Sequence, residues 1–193
     1  MVKLVRIGDK MKLSFDETVK ATNAEIIKEN NGIFSFSTDT RTIKKEDIYI
    51  PLKGESFDGE NFINNALLSG AKGYFTSDKN KIFDNAEIIL YTPDTKEAFL
   101  KLANFYKNKI KPYTIAVTGS SGKTTVKEML YSVFKNAGET VKSELNHNNE
   151  IGLCQTLSAL TTTTKYLIVE MGMRGLGEIE LLSKYAQPDI AVI

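Results

Sequence analysis

The spacing of apolar residues is clearest in the carboxyl-terminal part of the chain. Residues 113–117, "YTIAV", form a short, mostly apolar stretch, which predicts a buried strand. Over residues 123–137 the apolar positions recur at helical spacing, and Gly138 follows as a stop signal. These positions are Val126, Met129, Leu130, Val133, Phe134 and Ala137. A strand followed by a long amphipathic helix is therefore expected here.

The pattern continues as an alternation of strands and helices. A second helix is predicted over 150–160, a strand over 166–171, a third helix over 177–186 and a last strand over 189–193. This order is typical of a parallel sheet with helices on both faces.

The preceding residues, 1–111, give shorter and more mixed signals. Short strands are predicted within 32–37, 47–52, 74–77 and 87–91, and a helix within 61–73. A longer helix follows Asp94, with Glu97 three residues later as in a capping box, and ends before Pro112. We therefore expect an α/β protein: a small mixed α/β amino-terminal domain, 1–111, followed by a truncated P-loop parallel sheet with flanking helices, 112–193.

Composition excludes several classes of function. The 25 lysines and arginines balance 24 acidic residues, so nothing in the net charge indicates nucleic acid or an anionic membrane as a partner. No apolar run reaches the roughly 18 residues that would cross a bilayer, so we expect no membrane insertion. The single cysteine, Cys154, excludes a disulfide framework and favours a cytoplasmic location.

The loop "TGSSGKTT", residues 118–125, carries the strongest chemical signal. It lies between the buried strand and the long helix, where backbone N–H groups and a helix N-terminus can bind a phosphate. Lys123 can reach terminal phosphates, and the Thr124 hydroxyl can ligate Mg²⁺. The strict phosphate-loop pattern has glycine where this chain has Val117, and a plain Gly/Ser linker is the alternative. The predicted phosphate-binding residues are Gly119, Ser120, Ser121, Gly122, Lys123, Thr124 and Thr125.

An acidic residue supports the same site. Glu170 ends the apolar run "YLIVE", and the carboxyl ends of parallel strands share one edge of a sheet with the phosphate loop. A carboxylate there can hold Mg²⁺ directly or through water, so Thr124 and Glu170 are the predicted metal ligands. The alternative is an acid that only caps the following loop.

Four segments together resemble the Mur ligases. They are "STDTRTIKKEDIYIPLKGESFDGENF", "TGSSGKTTVKEML", "NHNNEIG" and "VEMGMRGLGEIELLSKYAQPDIAVI", and the similarity covers about residues 30–193. The chain departs from the family near Cys154, where proline is usual, and at Glu60-Asn61, where His-Asp is frequent. The first segment is similar to the amino-terminal substrate domain of the members that add D-Ala-D-Ala to UDP-MurNAc-tripeptide.

This resemblance implies an ATP-dependent amide ligase of peptidoglycan precursor synthesis, with ATP and Mg²⁺ as cofactors. The acceptor carboxylate would be activated as an acyl phosphate, and Lys123 would offset charge on the transferring phosphoryl group as the catalytic residue. UDP-MurNAc-tripeptide and D-Ala-D-Ala would be the substrates, and the full-length protein is expected to be a monomer.

The resemblance also implies a set of substrate-binding residues. They are Ser37, Asp39, Thr40, Arg41, Gly54, Phe57, Asp58, Gly59, Asn146 and Asn149. Two alternatives stay open from the residues alone: Asp39 and Arg41 could simply pair on the surface, and Asn149 could be a helix N-cap.

The two parts of the chain thus receive different roles by resemblance. Residues 1–111 would bind the UDP-muropeptide, and 112–193 would be a partial ATP-binding domain without the carboxyl-terminal ligase domain of the family. Because Ile193 lies inside an apolar strand, we expect a fragment that is inactive alone. The alternatives are another Mur-type ligase adding a single amino acid, or a non-catalytic nucleotide-binding module.

Overall fold

The computed structural model of the chain describes four stretches: 11–54, 56–144, 147–173 and 175–193. The fold divides into two compact units, of which the first ends at Leu102 and the second begins at Ala103. The division falls within helix α3 (Thr95–Ile110), nine residues before the border at 111 predicted from the sequence. The separate roles assigned to 1–111 and 112–193 stay predictions.

The first unit contains a six-stranded mixed sheet. Its strands are β1 (Leu13–Ser14), β2 (Glu25–Lys28), β3 (Ile33–Ser37), β4 (Asp47–Tyr49), β5 (Gly73–Thr76) and β6 (Ile88–Tyr91). They lie in the order β1-β3-β4-β5-β6-β2, with β3 to β6 parallel and both edge strands antiparallel. The sequence predicted the four central strands and missed the two at the edges.

Two helices in this part of the chain begin at polar caps. Helix α1 (Phe15–Thr22) starts with a capping box, in which Ser14 and Glu17 exchange hydrogen bonds. At the start of α3, Oδ1 of Asp94 accepts hydrogen bonds from the backbone N–H groups of Lys96 and Glu97. Helix α2 (Ile63–Leu68) follows a 3₁₀ turn, and its Ile63 and Ala66 pack with Tyr49 and Tyr74 in the core.

The second unit is built on four parallel strands. They are β7 (Tyr113–Val117), β8 (Thr140–Lys142), β9 (Tyr166–Glu170) and β10 (Ile190–Val192), in the order β10-β7-β9-β8. Strand β8, which the sequence did not predict, has only three residues and all are half-buried. Val117 at the end of β7 lies opposite Glu170 at the end of β9, so the two strands end at the same edge of the sheet.

Helices flank this sheet as expected for an α/β protein. They are α4 (Lys123–Phe134), α5 (Glu150–Ser158) and α6 (Glu178–Ala186). On α4, Val126, Leu130 and Phe134 pack against the sheet, whereas Met129 and Val133, predicted on the same apolar face, are exposed. Across the described stretches, none of the helices has both the length and the apolar character needed to cross a bilayer.

Candidate functional site

The loop between β7 and α4 presents its backbone outward. Gly119 (φ 137°) and Gly122 (φ 79°) adopt backbone conformations that side chains with a Cβ rarely tolerate. Ser120, Ser121 and Gly122 are exposed, and a Cβ built on Gly122 would meet nothing within 4 Å. The N–H groups of this bend are therefore accessible to a ligand from one side.

The first turn of α4 adds further donors. Its N-cap is Gly122, and no side chain caps the helix there. The first N–H groups of a helix lack partners within the helix, and they carry the positive end of the helix dipole. Because α4 is 12 residues long and begins directly at this loop, the two features together form a site suited to an anion.

Lys123 lies across the same loop. Its Nζ donates a hydrogen bond to the carbonyl oxygen of Gly119 at 2.7 Å, and the residue is half-buried. An ammonium group held at the centre of the loop can exchange this carbonyl for a phosphate oxygen without leaving the site. It would then neutralise charge where the loop amides bind.

Thr124 and Glu170 are brought into contact by the register of the sheet. Oγ1 of Thr124 lies 3.0 Å from Oε2 and 3.3 Å from Oε1 of Glu170. Glu170 is only 6% exposed, and its backbone N–H donates to Oγ of Ser143 at 3.1 Å. The hydroxyl and carboxylate oxygens of the two predicted metal ligands therefore lie together directly beside the loop.

This pair of residues suits Mg²⁺ carried by a nucleotide better than a metal held by protein alone. Within the described residues, no cluster of three or more His, Cys, Asp or Glu side chains could hold a metal ion. Mg²⁺ prefers oxygen ligands and is usually bound through one or two protein groups, with phosphate oxygens and water completing the octahedron. Thr124 and Glu170 fit this arrangement.

Lys127 is a residue of the site that sequence reasoning missed. Its Nζ lies 3.3 Å from Oε2 of Glu170, and its side chain is 1% exposed. A signal was present, because Lys127 precedes Leu130 by three residues and Phe134 by seven, which puts a charge on the buried stripe of the helix.

The segment before α5 approaches the carboxyl end of β9. The carbonyl oxygen of Asn148 accepts a hydrogen bond from the N–H of Gly172 at 2.8 Å. Asn149 is the N-cap of α5, since its Oδ1 accepts from the N–H of Gly152 at 2.9 Å. In the structure Asn149 therefore caps a helix, as the alternative prediction held. Asn146 lies outside the described residues.

The first predicted substrate segment, 37–41, is internally bonded. Asp39 and Arg41 form an ion pair at 2.6 Å, with the Arg41 side chain 87% exposed, and Arg41 holds the pKa of Asp39 below its usual value. Oγ of Ser37 lies 3.0 Å from the carbonyl oxygen of Asp39, and Thr40 begins a 3₁₀ turn. The surface-pair alternative is therefore present in the structure.

The described residues of the second predicted substrate segment, Gly54 and 56–59, are also held by their own contacts. The N–H of Gly54 donates to the carbonyl oxygen of Phe57 at 2.8 Å, and Oδ1 of Asp58 accepts from the N–H of Glu60 at 2.9 Å. The Phe57 ring stacks on Phe62 with 5.3 Å between centroids, yet the residue stays 51% exposed. It offers an apolar face to a ligand.

Tyr49 links the two segments at the carboxyl ends of parallel strands. Ser37 and Tyr49 are register partners at the ends of β3 and β4, and the Tyr49 hydroxyl donates to the carbonyl oxygen of Gly59 at 3.1 Å. Burial, followed by the charges of Asp39, Glu60 and Asp58, raises the pKa of Tyr49 to about 12. This strand edge is where open parallel sheets usually bind ligands.

Glu60, noted in the sequence only as a departure from the family, has a definite role in the fold. Its buried carboxylate accepts hydrogen bonds from Thr76 Oγ1 at 2.9 Å and from the N–H of Ser77 at 2.6 Å. Nζ of Lys81 lies 3.4 Å away. The residue thereby fixes the loop after β5 to the 3₁₀ turn at Gly59–Phe62.

A parallel sheet, a Gly/Ser loop leading into a helix and an acid on the neighbouring strand define an α/β protein of the phosphate-loop type. Residues 117–193 match the Mur ligase middle domain family. The matched segment contains the loop after Val117, helix α4 and Glu170, so this part of the chain is a Mur ligase middle domain.

The similar proteins extend the match to the first unit. UDP-N-acetylmuramoyl-tripeptide–D-alanyl-D-alanine ligase of Bacillus subtilis is 38% identical over 177 residues, covering 92% of this chain and 39% of that protein. The Escherichia coli enzyme of the same name is 33% identical, covering 89% of this chain and 37% of that protein. The chain thus spans about two fifths of the length of these relatives.

Solved structures also match most of the chain. A crystal structure of MurF from Acinetobacter baumannii superposes with a TM-score of 0.87 at 29% identity, covering 94% of this chain and 40% of that one. MurF ligase from Thermotoga maritima, solved in complex with ADP, gives a TM-score of 0.73 at 32% identity, covering 81% of this chain and 36% of that one.

Proposed function

We propose that this chain provides the nucleotide-binding and acceptor-binding parts of an ATP-dependent amide ligase. The reaction would join D-Ala-D-Ala to UDP-MurNAc-tripeptide in peptidoglycan precursor synthesis. The contact between Thr124 and Glu170 beside the loop 118–122, with 3.0 Å between Oγ1 and Oε2, carries the proposal. The names of the relatives, and the ADP complex of the Thermotoga maritima enzyme, support it.

In this proposal the loop and the first turn of α4 bind the ATP phosphates. The residues are Gly119, Ser120, Ser121, Gly122, Lys123, Thr124 and Thr125. The backbone N–H groups supply fixed dipoles, and Lys123 adds a point charge toward the β- and γ-phosphates. Thr124 and Glu170 would hold Mg²⁺, which supplies neutralisation of the charge that develops on the phosphoryl group.

The chemistry explains why such a site is needed. A carboxylate resists attack by an amine because its charge is delocalised. An oxygen of the tripeptide carboxylate would attack the γ-phosphorus, and the bond to the β-phosphate oxygen would break to release ADP. The amine of D-Ala-D-Ala would then attack the acyl carbon, lose a proton and expel inorganic phosphate. The residues of this chain contribute position and charge rather than covalent bonds.

The acceptor would bind to the first unit. Ser37, Thr40 and Arg41 offer two hydroxyls and an exposed guanidinium group for a diphosphate, provided that the ion pair of Arg41 with Asp39 opens or is shared. Gly54, Asp58 and Gly59 shape the adjacent loop, and Phe57 offers an apolar face to the acceptor. Asn146 and Asn149 are proposed as further contacts.

The setting of the reaction follows from its substrates. We place the protein in the cytoplasm, where ATP and UDP-linked precursors are available, with Mg²⁺ as the divalent ion. The whole enzyme is proposed to be a monomer.

Because the chain spans only about two fifths of its relatives, the proposal is tested by ligand binding rather than by catalysis. Isothermal titration calorimetry measures this binding. ADP in Mg²⁺ buffer and UDP-MurNAc-tripeptide should each bind at one site. Lys123→Ala should weaken ADP binding by roughly tenfold to a hundredfold, the range expected for a lost hydrogen bond to a charged group. Lys135→Ala, at the other end of α4, is the matched control and should have no effect. Failure of both ligands to bind the wild-type chain would overturn the proposal.

A further inference from the structure

Lys127 lies close to the phosphate loop, and the proposed function gives this charged residue no role. Its side chain is 1% exposed and lies against Glu170, whose side chain is 4% exposed. Lysines are almost never buried unless they are paired. A buried ion pair is nevertheless a poor source of stability, because well-packed apolar side chains of the same volume are often as stable. A functional role is therefore the better explanation for this pair.

Thr124 and Lys127 reach the same carboxylate oxygen from one face of α4. Oε2 of Glu170 lies 3.0 Å from Oγ1 of Thr124 and 3.3 Å from Nζ of Lys127. Residues three apart on a helix lie side by side, so both contacts form together. A hydroxyl oxygen can ligate a cation, whereas an ammonium group repels it. The two partners of Glu170 thus have opposite effects on a metal ion.

The surrounding charges increase the effect of Lys127. Lys127 lies 3.7 Å from Glu128, and Glu128 also pairs with Lys142. Lys123, the first residue of α4, adds a third positive charge to those of Lys127 and Lys142, which pair with Glu170 and Glu128. A bare divalent cation therefore meets a carboxylate whose charge is already balanced. A metal–nucleotide complex, which is negative overall, meets an excess of positive charge instead.

We propose that Lys127 makes metal capture at Glu170 depend on bound nucleotide. The ammonium group disfavours a bare divalent cation, and it favours the same cation when phosphate oxygens bring it to the site. Lys127 acts through Glu170 and does not itself touch the metal. The inference rests on the proposed nucleotide site and adds to it a selection for the metal–nucleotide complex over the free metal.

Electron paramagnetic resonance of Mn²⁺, titrated with and without ADP, tests this directly. For the wild-type chain, Mn²⁺ affinity should be weak alone and at least about tenfold higher with ADP, within the range typical of groups that adjust a metal site. Lys127→Gln keeps a hydrogen-bond donor but removes the charge. It should raise the affinity for Mn²⁺ alone by about tenfold and reduce the dependence on ADP. Lys135→Gln, which removes a charge at the far end of α4, should leave the dependence on ADP unchanged.

The outcomes separate this inference from the proposed function. Unchanged or weaker binding of bare Mn²⁺ by a folded Lys127→Gln variant would overturn the inference alone, because it would indicate a purely structural role. If that variant does not fold, the Mn²⁺ titration of the wild-type chain tests the inference instead. Bare Mn²⁺ that binds equally well without ADP, and is lost in Glu170→Gln, would also overturn the inference. Failure of ADP to bind the wild-type chain would overturn the proposed function as well.

Discussion

Oγ1 of Thr124 lies 3.0 Å from Oε2 of Glu170, although 46 residues separate them in the chain. Thr124 is the second residue of α4, and Glu170 is the last residue of β9. The parallel pairing of β7 with β9 brings them together, because Val117 and Glu170 are register partners. One contact thus joins the helix that follows the phosphate loop to the acidic strand end.

Replacing Glu170 should remove the metal-dependent part of nucleotide affinity. In Glu170→Gln the side chain keeps its size but loses the charge that attracts Mg²⁺. We expect ADP to bind at least about tenfold more weakly in Mg²⁺, a loss of about 1.4 kcal/mol, and equally well in EDTA. Calorimetry in the two buffers measures this, with the exposed Glu180→Gln as control. Equal losses in both buffers would argue against a metal role.

Gly152 is required by a close approach of two backbone segments. A Cβ at this position would lie 2.4 Å from Cα of His147, closer than nonbonded atoms allow. Gly152→Ala should therefore lower the free energy of unfolding by about 1–3 kcal/mol, as overpacking does. Urea unfolding measures it. Gly175→Ala is the control, because the nearest atom to its Cβ is 4.0 Å away. Equal stability of the two variants would contradict the observed packing.

The cap of α3 should contribute measurably to stability. Oδ1 of Asp94 accepts two backbone hydrogen bonds, at 2.8 and 3.0 Å, from the first turn of the helix. Asp94→Ala should cost about 1 kcal/mol of unfolding free energy, whereas Asp94→Asn keeps an acceptor and should cost less. Urea unfolding of both variants measures the difference, and equal costs would refute the capping role.

The stability of the first unit should depend on pH in the alkaline range through Tyr49. Burial raises the pKa of Tyr49 from 10.0 to about 12, so the folded state retains the phenolic proton more tightly than the unfolded state. This contribution is complete below pH 10 and is lost as pH rises from 10 to about 12. The stability difference between wild type and Tyr49→Phe, from urea unfolding, should therefore shift in favour of Tyr49→Phe between pH 9.5 and 11. A difference that stays constant over this range would contradict the shifted pKa.

The elements that the sequence predicted well are those with long or fully buried apolar patterns. Strand β7, helix α4 and strand β9 were all expected, as was the cap at Asp94. Strands β2 and β8 were missed because they are short and largely unburied, so their residues lack a strong alternation. Periodicity reports burial on one face, and these two strands have little of it.

Individual side chains were harder to predict than elements. The order of the motifs predicted that Thr124 and Glu170 lie near one metal ion, but it gave no indication that Lys127 also pairs with Glu170. Charged residues in a helix are normally assigned to its solvent face, and only three-dimensional packing showed that Lys127 pairs with Glu170. The prediction for Met129 and Val133 was wrong in the opposite direction, because their spacing predicted burial and both are exposed.

The central claim is that backbone N–H groups around the loop bind the phosphates of a nucleotide. Amide ¹H–¹⁵N spectra of the chain, titrated with ADP and Mg²⁺, test it most directly. We predict that the resonances of Ser120, Ser121, Gly122 and Lys123 shift saturably and in proportion to one another, at one equivalent of ADP. Saturable shifts elsewhere while these four amides stay unmoved, or no shifts at all, would contradict the account.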